Sequence, residues 1–124
     1  MASFQDIKAW KLAHELVLYV YQMTKNFPEG EKYGLTSQFQ RSAVSVPANI
    51  AEGFKKLSSS DKLRFYNIAE ASLEESRYYV ILSKDLNYIN QDEYVKLMQM
   101  VENASKALIA YCRGVIKNNF SNNY

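Results

Sequence analysis

Residues 33–53, Tyr-Gly-Leu-Thr-Ser-Gln-Phe-Gln-Arg-Ser-Ala-Val-Ser-Val-Pro-Ala-Asn-Ile-Ala-Glu-Gly, carry the pattern that decides the fold. Leu35, Phe39, Ala43, Val46 and Ile50 recur at steps of three and four, the period of one helix face. A second row on the same helix is polar: Arg41, Ser45, Asn49 and Glu52. Pro47 falls inside the pattern. It has no N–H for the carbonyl of Ala43, and its ring crowds that carbonyl, so the spacing predicts a kink near Ala43–Pro47. In a free peptide such a proline costs about 3 kcal/mol, so neighbouring helices must hold this segment in place. Gly53 is expected to end the helix, because it enters the left-handed region without a Cβ penalty.

The flanking sequence supplies those neighbours. A first helix is predicted over about 4–26. Trp10, Ala13, Val17, Val20, Thr24 and Phe27 form one series beside a second of Leu12, Leu16, Tyr19 and Met23. This apolar face is wider than one helix partner needs. Ser3 is a candidate cap with Asp6 in the first turn, and Pro28 with Gly30 ends the run. The central helix spans about 35–54. A third, about 61–87, starts either at Ser60 or through a weak capping box of Ser58 and Asp61. Its seam reads Phe65, Ala69, Ser72, Ser76, Tyr79, Ser83 and Leu86, with Glu70, Glu74, Arg77 and Lys84 on a solvated face. The small residues in that seam allow close approach of another backbone. A fourth helix, about 91–118, follows Asn90, whose spacing to Glu93 matches a capping box. Tyr94, Leu97, Val101, Ala104, Leu108, Tyr111 and Val115 sustain its seam, and the polar tail 118–124 is expected to fray. The chain therefore reads as all-α: one domain, 1–124, folded as an antiparallel up-down-up-down four-helix bundle.

A resemblance adds to this reading. Tyr33-Gly34-Leu35 and the run Arg41-Ser42-Ala43-Val44-Ser45-Val46-Pro47-Ala48-Asn49-Ile50-Ala51-Glu52-Gly53 resemble the signature of the four-helix-bundle proteins of bacterial 23S rRNA intervening sequences, the "S23 ribosomal protein" family. The likeness extends to the Trp10 helix, to Phe27-Pro28, and to Ile68-Ala69-Glu70-Ala71-Ser72-Leu73-Glu74-Glu75. It implies an up-down bundle assembled as a ring-shaped homopentamer, and no established activity. A related branch, the accessory protein of diversity-generating retroelements, is a pentamer that binds nucleic acid and a reverse transcriptase.

Composition narrows the function classes. Gly and Pro total six among 124 residues, which suits long helices with few turns. The single cysteine, Cys112, allows no intrachain disulfide and fits a reducing cytoplasm. No basic stretch leads into an apolar one near Met1, and no 18-residue apolar run occurs, so the chain is read as cytoplasmic, without membrane contact. Net charge is +2; residues 1–64 hold nine Lys and Arg against six Asp and Glu, and residues 65–124 six against seven.

No constellation nominates catalysis. His14 is the only histidine and Cys112 the only cysteine, too few for a nitrogen- and sulfur-rich zinc site in one subunit. The Glu-x-x-His pattern of di-iron bundles is absent, as are a phosphate-binding glycine loop and a Gly-x-Ser-x-Gly elbow. Cys112, next to the Tyr111 seam, is expected to be a buried, inert thiol. Neither an enzyme nor a bound cofactor or metal is expected.

Two features are open to binding. The motif Arg41, Ser45, Pro47, Asn49, Glu52 and Gly53 reads either as structural or interface glue, with Asn49 and Ser45 satisfying backbone groups disturbed by Pro47, or as a ligand or RNA contact through Arg41 and Asn49. Glu52, if buried, needs a partner on another helix or subunit. Lys55, Lys56, Lys62 and Arg64 form the candidate nucleic-acid patch, with Arg41 as a further candidate. Five copies in a ring would sum their charge. Ten tyrosines exceed what one narrow core holds, and Tyr19, Tyr21, Tyr78, Tyr88 and Tyr111 are candidates for subunit interfaces. The expected function is a non-enzymatic homo-oligomer that binds RNA or DNA through a basic surface. The alternative is an assembly or adaptor protein with a polypeptide partner.

Overall fold

Local contacts of side chains and backbone account for several of the helix boundaries. The computed structural model describes residues 2–122. Ser3 and Asp6 form a reciprocal capping box around a 3-10 turn, Phe4–Asp6. The chain then breaks at Ile7, which is extended and 1% exposed, before α1 (Lys8–Thr24) begins. The single first helix expected from residue 4 is thus two pieces, because Ile7 turns into the core instead of staying in helical register.

A second 3-10 turn, Glu29–Glu31, leads to α2 (Leu35–Lys55). Here Glu31 acts twice: one carboxylate oxygen accepts from the Leu35 N–H at 3.2 Å, and the other from the Tyr88 hydroxyl at 2.8 Å. That bond to Glu31 is the main reason the Tyr88 phenol is held above its ordinary pKa. Pro47 lies inside α2 without interrupting it. Gly53 does not end the helix. It is buried in the last turn, has no positive φ, and a Cβ there would meet Tyr66 at 2.5 Å. Its role is close packing rather than a left-handed stop.

α3 (Ser59–Asp85) is capped by Ser58, whose hydroxyl accepts from the Asp61 N–H at 3.2 Å; Ser60 is already helical. It closes at Asn87 with φ 63°, where Tyr88 N–H bonds Ser83 O and Asn87 N–H bonds Lys84 O. This double bond pattern is a helix terminator that tolerates asparagine. α4 (Gln91–Asn122) opens on the expected box, with Asn90 and Glu93 exchanging two 2.8 Å bonds. α4 extends to Asn122, past the end expected near residue 118; the tip of the tail, 123–124, lies outside the described residues.

Helices pack as neighbours around a square: α1 on α2, α2 on α3, α3 on α4 and α4 on α1, with no diagonal pair in contact among the described residues. Ala13, Leu16, Val20, Phe39, Ala43, Val46, Ala69, Val80, Leu97 and Val101 fill the centre with essentially no exposed surface. The seam expected on α3 is largely present, except that Tyr66 takes the core position beside a half-buried Phe65 and Leu86 is exposed. The small residues of that seam form polar pairs across α2–α3. Ser42 and Ser76 hydroxyls share a 2.8 Å bond, and Ser72 donates to Ser45 Oγ at 2.8 Å. Arg77 ties α3 to α4 by reaching Glu102 at 3.1 Å and Glu74 at 3.0 Å. No helix among the described residues is long and apolar enough to cross a membrane.

Candidate nucleic-acid interface

The α2–α3 turn gathers most of the basic residues singled out from the sequence. Lys55, the last residue of α2, is exposed. Lys56 Nζ lies 4.8 Å from the centroid of the Phe65 ring, and the Arg64 guanidinium lies 4.9 Å from the same centroid. A shared aromatic ring thus holds two cations close together, each attracted to its π cloud. Arg64 also approaches Asp61 at 3.9 Å, a loose and exposed contact. Lys62 is engaged differently. Its ammonium donates to Phe54 O at 2.7 Å, a carbonyl of the last turn of α2, and more distantly to Gly53 O at 3.3 Å, which also accepts from the Lys56 N–H.

Arg41 stands apart. It is fourteen positions before Lys55 on the same helix, about 21 Å away at the helical rise. It lines an open α2–α3 cleft of about 460 Å³ with Tyr33, Gln38, Ser45, Ser72 and Glu75, and has no ion-pair partner within 4.0 Å among the described residues. Two others of its row, Ser45 and Asn49, are bonded to one another. Asn49 Nδ2 donates to Ser45 O at 2.7 Å and to Ser45 Oγ at 3.0 Å, so the Ser45 hydroxyl accepts from both Asn49 and Ser72. The carbonyl thus served is that of Ser45, not the Ala43 carbonyl that Pro47 leaves. Glu52 is exposed, so it needs no buried partner. Across the cleft Tyr79 donates to Glu75 Oε2 at 2.7 Å and lies 2.9 Å from Gln38 Oε1. Burial first, and the Glu75 carboxylate second, push its pKa up to about 12.

The antiparallel topology adds residues that linear reading of the chain missed. It places the start of α1 and the end of α4 beside the α2–α3 turn, as the Tyr66–Tyr111 ring contact at 5.3 Å illustrates. The half of the bundle around that turn, residues 2–15, 48–72 and 105–122, holds nine Lys and Arg against five Asp and Glu; the opposite half holds six against eight. Lys8, Lys11, Arg113 and Lys117 thereby fall in the same half of the bundle as the turn. The signal that could have found them was the bundle topology itself.

The remaining reactive groups have quiet surroundings. Burial, and secondarily Glu70, push the half-buried Cys112 thiol up to about 11, which disfavours the thiolate at neutral pH. Tyr66 is fully buried, its hydroxyl has no hydrogen-bond partner among the described residues, and its pKa is raised chiefly by burial. No trio of His, Cys, Asp and Glu side chains among those residues is placed to hold a metal ion. Of the tyrosines proposed for interfaces, Tyr21 and Tyr78 are exposed, Tyr88 is bonded to Glu31, and Tyr19 lies 4.2 Å beneath the Lys96 ammonium.

The family model of the 23S rRNA-intervening sequence protein matches residues 5–110. The chain belongs to this family. Among solved structures, this 23S rRNA-intervening sequence family member is similar to a protein of unknown function from the S23 ribosomal protein family of Bacteroides thetaiotaomicron. The two are 24% identical with a TM-score of 0.77, over 85% of this chain and 95% of the other, a likeness that shows the fold. No curated protein matches the chain.

Proposed function

We propose that the protein is a non-enzymatic, self-associating helical bundle of the cytoplasm that binds RNA or DNA through its basic end. The observation that carries this reading is the division of charge along the bundle, with Lys55, Lys56, Arg64, Arg113 and Lys117 collected at one end. Phosphate contacts of this kind release counterions, so they give affinity without base specificity. No helix is assigned to groove recognition of the helix-turn-helix kind, and binding rests on charge. In a symmetric ring, the pentamer implied by the family resemblance, each copy adds its own patch. Ten tyrosines, with Tyr21 and Tyr78 exposed at 43% and 56%, support the self-association.

The test is a titration of a labelled RNA oligonucleotide at several salt concentrations, with light scattering on the protein alone. Affinity is expected to fall steeply between about 50 and 200 mM salt, and further in the Lys55→Glu, Lys56→Glu double variant. Unchanged affinity in that variant overturns the surface, and a lone 14.3 kDa species at micromolar concentration overturns the self-association.

A second reading, an assembly or adaptor protein for a polypeptide, is favoured by the apolar side chains on the outside of α4. Val95, Ile109 and Ile116 are 54%, 40% and 43% exposed and fall on one heptad stripe. Recovery of a protein partner after nuclease treatment, with no RNA binding by the purified chain, would establish it instead.

A further inference from the structure

We propose that α1 carries a stacking platform for unpaired bases, formed by His14 laid flat on Trp10, so that the nucleic acid bound is single-stranded. The inference rests on the nucleic-acid reading above and narrows it. The imidazole and indole rings lie with centroids 5.0 Å apart and planes 10° from parallel. Phe4 backs the indole edge-on, with centroids 5.2 Å apart at 64°. Phe4 belongs to the 3-10 turn locked by the Ser3–Asp6 capping box, so the ladder Phe4–Trp10–His14 is fixed from its inner end. Trp10 is half-buried and His14 exposed, and no further ring among the described residues stacks on His14. The indole is stacked, offset, against one side of the imidazole, and the His14 side chain remains exposed.

A flat, outward π face beside cations is what an unpaired base needs. Every base offers a π face, so stacking is tolerant of sequence, while phosphates need only nearby positive charge. Lys11 is one turn before His14, and both lie in the half of the bundle that carries excess positive charge. Tyr21, 43% exposed, lies on the same stripe seven residues beyond His14, about 10 Å further along the helix axis. A base inside a duplex cannot reach such a ring without being flipped out of its stack. The occupant is therefore a single strand, its phosphates at the basic end and a base on His14.

The sequence provides its own reporters. His14 is the only histidine and Trp10 the only tryptophan, so the imidazole C–H and indole N–H signals in a proton NMR spectrum are each unique. The full chain is titrated with a twelve-nucleotide oligouridylate, a duplex of equal length, and inorganic polyphosphate. The expected result is an upfield ring-current shift of the His14 signals with oligouridylate, and none with polyphosphate or duplex. His14→Ala should weaken oligouridylate binding about fivefold to a hundredfold, the equivalent of one lost base stack. Polyphosphate binding should be unchanged, and His14→Phe should keep the wild-type affinity. The platform is overturned if salt-dependent oligouridylate binding occurs without the shift and with His14→Ala unaffected; the broader nucleic-acid reading then survives. It is also overturned if the His14 signals move with protein concentration alone, which would mean that a second copy covers the rings. Absence of any RNA binding overturns both.

Discussion

Gly53 and Gly114 are both helical glycines with opposite reasons to be glycine. A Cβ on Gly53 would lie 2.5 Å from Tyr66 Cε1 and 3.2 Å from Phe65 Cβ, whereas one on Gly114 meets nothing within 4 Å. Gly53→Ala should therefore destabilise the fold by about 1–3 kcal/mol through overpacking, outweighing the helix propensity gained. Gly114→Ala should stabilise it by up to about 1 kcal/mol, since only propensity changes. Urea denaturation of the two variants checks both signs. Sequence reading singled out Gly53 but assigned it a left-handed turn, because a glycine after an apolar run looks the same whether it stops a helix or admits a ring. The ring that decides it, Tyr66, is thirteen residues further on. The stacking of His14 on Trp10 was similarly out of reach: their four-residue spacing permits contact, but only the Phe4 turn fixes the rings.

Among the elements, α3 shows best how much is legible. Its small residues marked the tightest contact, and the Ser42–Ser76 and Ser72–Ser45 bonds lie there. The Asn90 and Glu93 box was legible because both partners are local, and Leu86 was misplaced because α3 ends at Asp85, which leaves Leu86 as the cap, out of helical register. Tyr79 links this seam to pH. Its pKa is raised from 10.0 to about 12, so folding favours the neutral phenol. That stabilisation is present in full below about pH 10 and is lost as pH rises towards 12. Urea unfolding at pH 8 to 12 should show wild type losing its advantage over Tyr79→Phe across that interval. A constant gap between the two would mean that the phenol titrates normally.

For the molecule as a whole, the alternation of apolar faces was enough to give four antiparallel helices, because burying amphipathic stripes leaves few other arrangements. The basic end was only half legible: Lys55, Lys56, Lys62 and Arg64 are close in sequence, but Arg113 and Lys117 come to the same end through the topology. Lys62 has a further contact that its place in the sequence does not reveal, a bond to the Phe54 carbonyl at the end of α2. The double charge reversal Arg113→Glu, Lys117→Glu should weaken oligonucleotide binding by a factor similar to the Lys55, Lys56 pair. Lys84→Glu, at the opposite end, should change it little; titrations at one salt concentration compare the three. The uneven charge has a further mechanical meaning. A rod with unlike poles repels its sisters when they stand abreast with the same pole up, as they must in any ring built parallel to the helices. A polyanion laid across that crowded positive rim would relieve the strain between sisters, so cargo and ring would each favour the other.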